Sequence, residues 1–136
     1  MVYIDSNVFV YAVTYDPATN PKARRAIRVL KEVEGGQKRG ETSLLTWDEV
    51  TWVVWKLKGY ETGTKAGAAL LKLRNLILLP VNSSVMVKAQ QLVDVYQLKP
   101  RDAIHVSSAL LAGEREVVSD DSELDVVREI ARLPLE

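Results

Sequence analysis

Four carboxylates stand out by where they fall along the chain. Asp5 follows the apolar run Val2-Tyr3-Ile4 in "VYIDSNVFVYA". Glu49 lies in "TWDEVTWVVWKL", Asp102 in "KPRDAIHVSSAL" and Asp121 in "VVSDDSEL". Each sits at the end of an expected strand or in the first turn of an expected helix, and each has an ordinary use there. Asp5 suits the N-cap of a helix, and Thr46-x-x-Glu49 matches a capping box. Asp102 complements a helix dipole by ~0.3–1 kcal/mol, and Ser-Asp-Asp-Ser suits a turn. Gathered at one place, the four would repel. Two unit charges ~4 Å apart cost about 4 kcal/mol at an effective dielectric near 20. A stable cluster therefore needs protons or divalent cations. With no cysteine and a single histidine in the chain, the donors are hard oxygens, which favour Mg2+ or Mn2+ over zinc. Carboxylate-held Mg2+ commonly serves phosphoryl or phosphodiester chemistry, activating water and neutralising the leaving oxygen.

The neighbours sharpen this reading. Asn7 is a poor helix former in a first turn, which suggests that its amide orients something. On a helical wheel at 100° per residue, Glu49 lies on the edge of the core face formed by Val50, Val53, Val54 and Leu57, whereas Asp48 points to solvent. His105 follows Asp102 by three residues, on the same side of a helix. An Asp-x-x-His pair can hold a metal, but an isolated histidine on an apolar helix is more commonly packed than ligating. Asp120 and Asp121 both follow a strand end, so the fourth acid is either of the two.

The elements that must position these side chains alternate in type. Short apolar runs at 2–4, 41–45, 76–81, 116–119 and 131–135 read as strands. Helical patterns fill 6–15, 21–34, 46–58, 61–74, 83–96 and 100–112, with a short helix at 124–129. Pro21 and Pro100 suit helix starts. Gly35-Gly36, Gly59 and Gly113 suit helix ends. Ser83 or Ser84 is the expected cap of the helix that follows it, and Ala66, Ala69, Leu70 and Leu73 are expected inward. This α/β alternation implies a mainly parallel sheet with helices on both faces, a three-layer α/β/α arrangement. Ligands of such sheets bind beyond the carboxyl ends of the strands, where Asp5 and Asp121 fall.

The totals exclude several classes. The 136 residues suit one domain. Eighteen basic residues balance eighteen acidic ones, so the chain lacks the basic excess of a protein that coats nucleic acid. No apolar run approaches the ~20 residues of a membrane span. Residues 1–13 lack a basic flank and a small-residue cleavage site, so no secretory leader is expected. The absence of cysteine fits a reducing cytoplasm.

The ordered set of motifs resembles the PIN domain family, and in length most resembles the toxin halves of VapBC-type toxin–antitoxin pairs. "YIDSNVFVYA" resembles the family's opening Asp-Thr/Ser-Asn-hydrophobic motif, and "TWDEVTWVVWKL" the helix that supplies its glutamate. "KPRDAIHVSSAL" resembles the Asp-bearing helix, and "VVSDDSEL" the Ser/Thr-x-Asp-x-x-Phe ending, with Leu124 in place of Phe. The resemblance covers nearly the whole chain and implies a single PIN-like domain over 1–136. Its sheet would have about five strands in the order 3-2-1-4-5. It also implies a metal-dependent ribonuclease with Asp5, Glu49, Asp102 and Asp121 as the acidic site. Asp5, Asp102 and Asp121 would be the nearest ligands of Mg2+ or Mn2+. Glu49 would hold a metal through water or help activate the attacking water. Asn7 and Ser119 would be polar supports. RNA substrate, a homodimer and an antitoxin protein are the implied partners.

Two surface features fit such partners. Arg24, Arg28 and Lys31 share a helix face opposite its apolar stripe: a solvated face, or a strip that contacts RNA phosphates. Trp52 and Trp55 fall off the core face of helix 46–58, either covered by helix 61–74 or forming an interface. Two other functions compete. A non-catalytic RNA-binding or protein-interaction module would bind without cutting, which the complete set of four acids argues against. A phosphotransfer domain using Asp5 as nucleophile would need a lysine just after a strand, and the sequence places none there.

Overall fold

Alternation along the first strand already requires two cores. In the computed structural model, which describes residues 1–136, β1 spans Val2–Ile4 and is buried on both faces. Val2 and Ile4 enter one apolar cluster and Tyr3 enters the other, as the two-residue period of a strand dictates. The remaining strands are β2 (Gly40–Ser43), β3 (Leu76–Leu79), β4 (Glu116–Val118) and β5 (Ala131–Leu133). They form one five-stranded sheet in the order β3-β2-β1-β4-β5, and every neighbouring pair is parallel. This is the expected order.

Six helices cover the sheet. The first cluster packs α1 (Ser6–Thr14), α2 (Pro21–Glu34), α3 (Leu45–Lys58) and α4 (Tyr60–Lys72) against one face. The second packs α5 (Ser83–Tyr96) and α6 (Pro100–Leu111) against the other. A 3-10 turn over Ser122–Val126 stands where the short helix at 124–129 is expected. No helix is long and apolar enough to cross a membrane.

Local chemistry sets most boundaries. Asp5 caps α1 by accepting from the Ser6 amide, and Asn20 caps α2 just ahead of Pro21. The cap of α5 is Asn82 rather than Ser83 or Ser84, its side chain accepting from the Val85 amide. The capping box at Thr46 and Glu49 does not form, because α3 begins one residue earlier, at Leu45. Ser43 Oγ accepts from the Leu45 amide. Thr46 is buried, with its hydroxyl 2.6 Å from that of Thr42. Thr42 gives its own proton to Ile4 O at 2.7 Å, so the Thr46 hydroxyl donates to Thr42. Thr46 thus ties α3 to the sheet, and Glu49 is released from the helix end. One inward assignment fails, Leu57 being exposed at the end of α3; Ala69 is solvent-accessible on α4 but borders an apolar pocket with Phe9, Val50, Ala66 and Leu70.

The α3–α4 hairpin closes at Gly59, whose φ of 98° lies in the left-handed region open to glycine. The two helices approach through Gly63 and Gly67. A Cβ on Gly63 would stand 2.7 Å from the backbone N and Cα of Trp55, and one on Gly67 would stand 3.0 Å from Trp47 Nε1. Alanine gains about 0.5–1 kcal/mol over glycine inside a helix, but overpacking against a fixed backbone costs about 1–3 kcal/mol. The clash outweighs the propensity gain at Gly63. Gly63→Ala is therefore expected to lower the urea midpoint by an amount equivalent to about 1–2 kcal/mol. An unchanged or raised midpoint would show that the helices are free to move apart.

Candidate metal centre

The carboxyl ends of β1 and β4 meet at the centre of the sheet, and the pairing carries on one residue past each. The Asp5 amide donates to Val118 O at 3.0 Å, and the Ser119 amide donates to Leu133 O at 3.1 Å. Asp5 is only 4% exposed. Its Oδ1 accepts from the Ser6 amide at 2.7 Å, and its Oδ2 accepts from Ser119 Oγ at 2.7 Å and Asn7 Nδ2 at 3.4 Å. Asn7 Nδ2 lies 3.2 Å from Ser119 Oγ, and its Oδ1 accepts from the Asp120 amide. Ser119 Oγ in turn accepts from the Asp121 amide at 3.0 Å. Asn7 and Ser119 thus bind the β1 and β4 ends into one network around Asp5.

The two aspartates after β4 part company. Asp120 turns away, 3.0 Å from Lys22 Nζ and 3.0 Å from the Tyr11 hydroxyl, which donates to it. Asp121 turns toward Asp102. Carboxylate oxygens of Asp102, Asp121 and Glu123 all lie within 4.8 Å of one another. Of the adjacent pair, Asp121 is the one that joins the acidic group. Asp5 and Glu49 stand outside this tight trio, although the charge of Asp5 is felt at Asp102. Glu49, Lys99, Pro100, Arg101, Asp102 and Asp121 line a common cavity of about 560 Å³. All four expected acids therefore gather at one sheet edge, three of them bordering the cavity and Asp5 buried behind it.

Glu123 is a member that the sequence reading missed. The turn that caps on Asp121 carries it there, through the Glu123 amide donating to Asp121 Oδ1 at 2.9 Å. It also pairs with Lys99 at 3.4 Å. The Asp-x-Glu spacing across a strand-end turn is the signal that could have found it.

His105, weighed in the sequence as a metal ligand or a packed residue, and Tyr3, which was not singled out, both belong to the site's hydrogen-bond network. His105 is buried, and both ring nitrogens are taken: Nδ1 lies 2.6 Å from the Tyr3 hydroxyl, and Nε2 meets Glu49 Oε1 in a short contact. Nε2 also lies 3.6 Å from Asp5 Oδ1. No ring nitrogen is left to ligate, so His105 is packed, but against carboxylates rather than hydrocarbon. Burial alone would pull its pKa down. The Asp5 charge, with Glu49 and Asp102 behind it, outweighs burial and holds His105 above its ordinary value. A tyrosine amid a central strand was the available signal, because a buried phenol needs a partner.

The charge balance at the site is incomplete. Asp102 makes no protein hydrogen bond through its carboxyl, which is pushed from 3.8 up to about 6, by burial first and then by the charges of Asp121 and Asp5. Three converging hard-oxygen donors with a surplus of negative charge fit a cation of the Mg2+ or Mn2+ type.

A parallel α/β sheet in the order 3-2-1-4-5, with acids at its central carboxyl edge, defines the class of protein. The PIN domain profile matches residues 2–130, and the chain belongs to the PIN domain family. Solved structures share the fold over almost their whole length. A chain of VapBC2 from Rickettsia felis, bound to a DNA fragment from its promoter, aligns at TM-score 0.72 and 16% identity, covering 98% of each chain. DNA-bound VapBC from Salmonella typhimurium gives TM-score 0.72 and 15% identity, covering 98% of this chain and 97% of that one. VapC20 of Mycobacterium tuberculosis, a toxin that cleaves the sarcin–ricin loop, gives 0.70 and 13%, covering 86% and 87%. No curated protein matches the sequence.

The raised carboxyl of Asp102 makes stability depend on pH. The folded state holds this proton more tightly than the unfolded chain does. Its contribution is fully present below the unfolded value of 3.8 and is lost as pH rises through about 6. Allowing for the partial exposure of Asp102, this is worth about 1–2 kcal/mol. Wild type without added metal is expected to lose thermal stability between pH 4 and 7 relative to Asp102→Asn. Added Mn2+ should restore it at pH 7 and have little effect at pH 4.5. Parallel profiles for the two proteins, with or without Mn2+, would contradict this account.

Proposed function

We propose that this protein is a Mg2+- or Mn2+-dependent endoribonuclease that hydrolyses RNA phosphodiester bonds, and that it serves as the toxin of a toxin–antitoxin pair. The observation that carries the proposal is the convergence of Asp102, Asp121 and Glu123 oxygens within 4.8 Å, at the same sheet edge as Asp5 and Glu49. Asp5, Asp102 and Asp121 are the proposed metal ligands. A bound cation would supply charge neutralisation at the scissile phosphate and lower the pKa of water. Asp5, fixed by Ser6, Asn7 and Ser119, presents carboxylate lone pairs in a constant direction. Glu49 spends one oxygen on His105 and keeps the other for the cavity, where it can accept a proton from the attacking water. The partners of Asp5 are the Ser6 amide, Asn7, Ser119 and His105. No lysine faces it, which disfavours the aspartyl-phosphate alternative.

Arg24, Arg28 and Lys31 are exposed along α2 and line a second concavity of about 510 Å³. This strip is the proposed RNA contact. It leads away from Lys22, which is engaged with Asp120 beside the acidic edge. Trp52 and Trp55 remain 49% and 39% exposed, so α4 covers them only in part. They meet edge-on at 5.8 Å, and Trp55 meets Tyr60 at 4.8 Å. This aromatic patch is the proposed homodimer surface. The likeness to chains from VapBC complexes supports an antitoxin partner, and a cysteine-free composition supports action in the cytoplasm.

The direct test is incubation with structured RNAs, with and without Mn2+. Wild type is expected to cut internally only when the cation is present, and Asp5→Asn to lose at least about 100-fold in rate while melting cooperatively. Cleavage in EDTA, or full activity in Asp5→Asn, would overturn the mechanism. RNA binding without cutting would favour a non-catalytic module. Light scattering checks the interface: wild type should be dimeric and Trp55→Ala monomeric, and a monomeric wild type would remove that assignment.

A further inference from the structure

Three elements of the fold contribute one side chain each to a single file of hydrogen bonds that ends at the cavity. Tyr3 comes from β1, His105 from α6 and Glu49 from α3. Tyr3 and His105 are fully enclosed, and Glu49 borders the cavity with Asp102 and Asp121. The protons along the file can be assigned from its first member. The Ser43 amide can only donate, and it donates to the Tyr3 oxygen at 3.1 Å. With the imidazole neutral, the one phenolic proton of Tyr3 is directed at His105 Nδ1, 2.6 Å away. With Nδ1 accepting, the neutral ring carries its proton on Nε2, and Nε2–H donates to Glu49 Oε1. The backbone of β2 thereby selects the tautomer of a histidine on α6, and the histidine selects which oxygen of Glu49 is bound. The other Glu49 oxygen has no protein hydrogen bond, and Glu49 lines the cavity.

We infer that Tyr3 and His105 are positioning residues: they hold Glu49 so that its free oxygen serves the cation and water of the acidic edge. This rests on the nuclease reading above and deepens it. The ring of His105 also separates Glu49 from Asp5, with Nε2 3.6 Å from Asp5 Oδ1, so one imidazole spaces the two carboxylates. Nothing else in the structure orients Glu49. It sits on the second turn of α3 without a capping role, and its only side-chain hydrogen bond is the one to His105. Partners behind ligating and water-activating groups commonly account for 10–100-fold in metal affinity or rate.

The test is a double-mutant cycle with His105→Leu and Glu49→Ala, read by three measurements. These are Mn2+ affinity of the protein without RNA, single-turnover cleavage rate, and KM for RNA. His105→Leu is expected to weaken Mn2+ binding or lower the cleavage rate by about 10–100-fold, with KM changed by less than about three-fold. In the Glu49→Ala background the same substitution should change neither Mn2+ affinity nor rate further. His105→Gln, which keeps an N–H near the Nε2 position, should recover most of the loss. If His105→Leu does not melt cooperatively, Tyr3→Phe replaces it. In wild type, at a pH high enough for the ring to be neutral, the 15N shifts of His105 should report a proton on Nε2 alone. In Tyr3→Phe they should report a mixture of tautomers, with a smaller fall in the same two quantities. Equal losses with and without the Glu49 carboxylate, or a proton on Nδ1 of the neutral ring in wild type, would overturn the inference. If wild type binds Mn2+ in a His105-dependent way but cuts no RNA, the nuclease reading fails and the positioning stands. If it cuts RNA and His105→Leu is silent in both quantities, the positioning alone fails.

Discussion

Repulsion among carboxylates brought to one sheet edge is the constraint on which the rest of the structure turns. A parallel sheet delivers the ends of all its strands to the same side, and here the central strands each end in an acid or lead directly into one. The fold offsets that repulsion acid by acid. Asp5 is surrounded by an amide, a hydroxyl and a carboxamide. Asp120 is drawn off to Lys22 and Tyr11, Glu123 leans toward Lys99, and Glu49 is held by His105. Asp102 is left without such a partner, and burial, followed by the charges of Asp121 and Asp5, raises its carboxyl to about 6. The local excess of negative charge is thus confined to the wall of the cavity, where a cation can neutralise it.

Placing Glu49 on that wall needs more than the sheet. The residue belongs to α3, whose start is fixed by the Thr46–Thr42–Ile4 hydroxyl chain and whose length is braced by close contact with α4 at Gly63 and Gly67. The contact is possible because these positions lack a Cβ, so two small residues on α4 bear on the aim of an acid on α3. The same close approach seats Gly63 on the backbone of Trp55 and leaves the rings of Trp52 and Trp55 half-exposed.

Much of this was legible in the sequence. Strand–helix alternation pointed to the parallel sheet and its two helical layers, because strands buried on both faces read as short apolar runs between helical patterns, the polar β2 (Gly40–Ser43) being the exception. The acids at Asp5, Asp102 and Asp121 were visible because strand ends and first turns are marked by Asn, Pro and Asp. The supporting places of Asn7 and Ser119 came from the family resemblance. Other features were hidden because they depend on partners distant in sequence. The capping box at Thr46 and Glu49 fits its local pattern well, yet tertiary bonds claim both side chains, Thr46 by Thr42 and Glu49 by His105. Asp120 and Asp121 could be told apart only once Lys22, 98 residues away from Asp120, was seen to take the first. His105 read as an isolated histidine on an apolar helix, because Tyr3 and Glu49 lie 102 and 56 residues from it. The cap at Asn82 in place of Ser83 was an error of one position, within the usual uncertainty of helix ends.

The central claim is that the acidic edge is built to hold a divalent cation. Anomalous diffraction from crystals soaked in Mn2+ tests it most directly. The account predicts a strong anomalous peak in the cavity, about 2.1–2.2 Å from carboxylate oxygens of both Asp102 and Asp121. A peak only at other surface acids, or none at Mn2+ concentrations that support binding in solution, would contradict it.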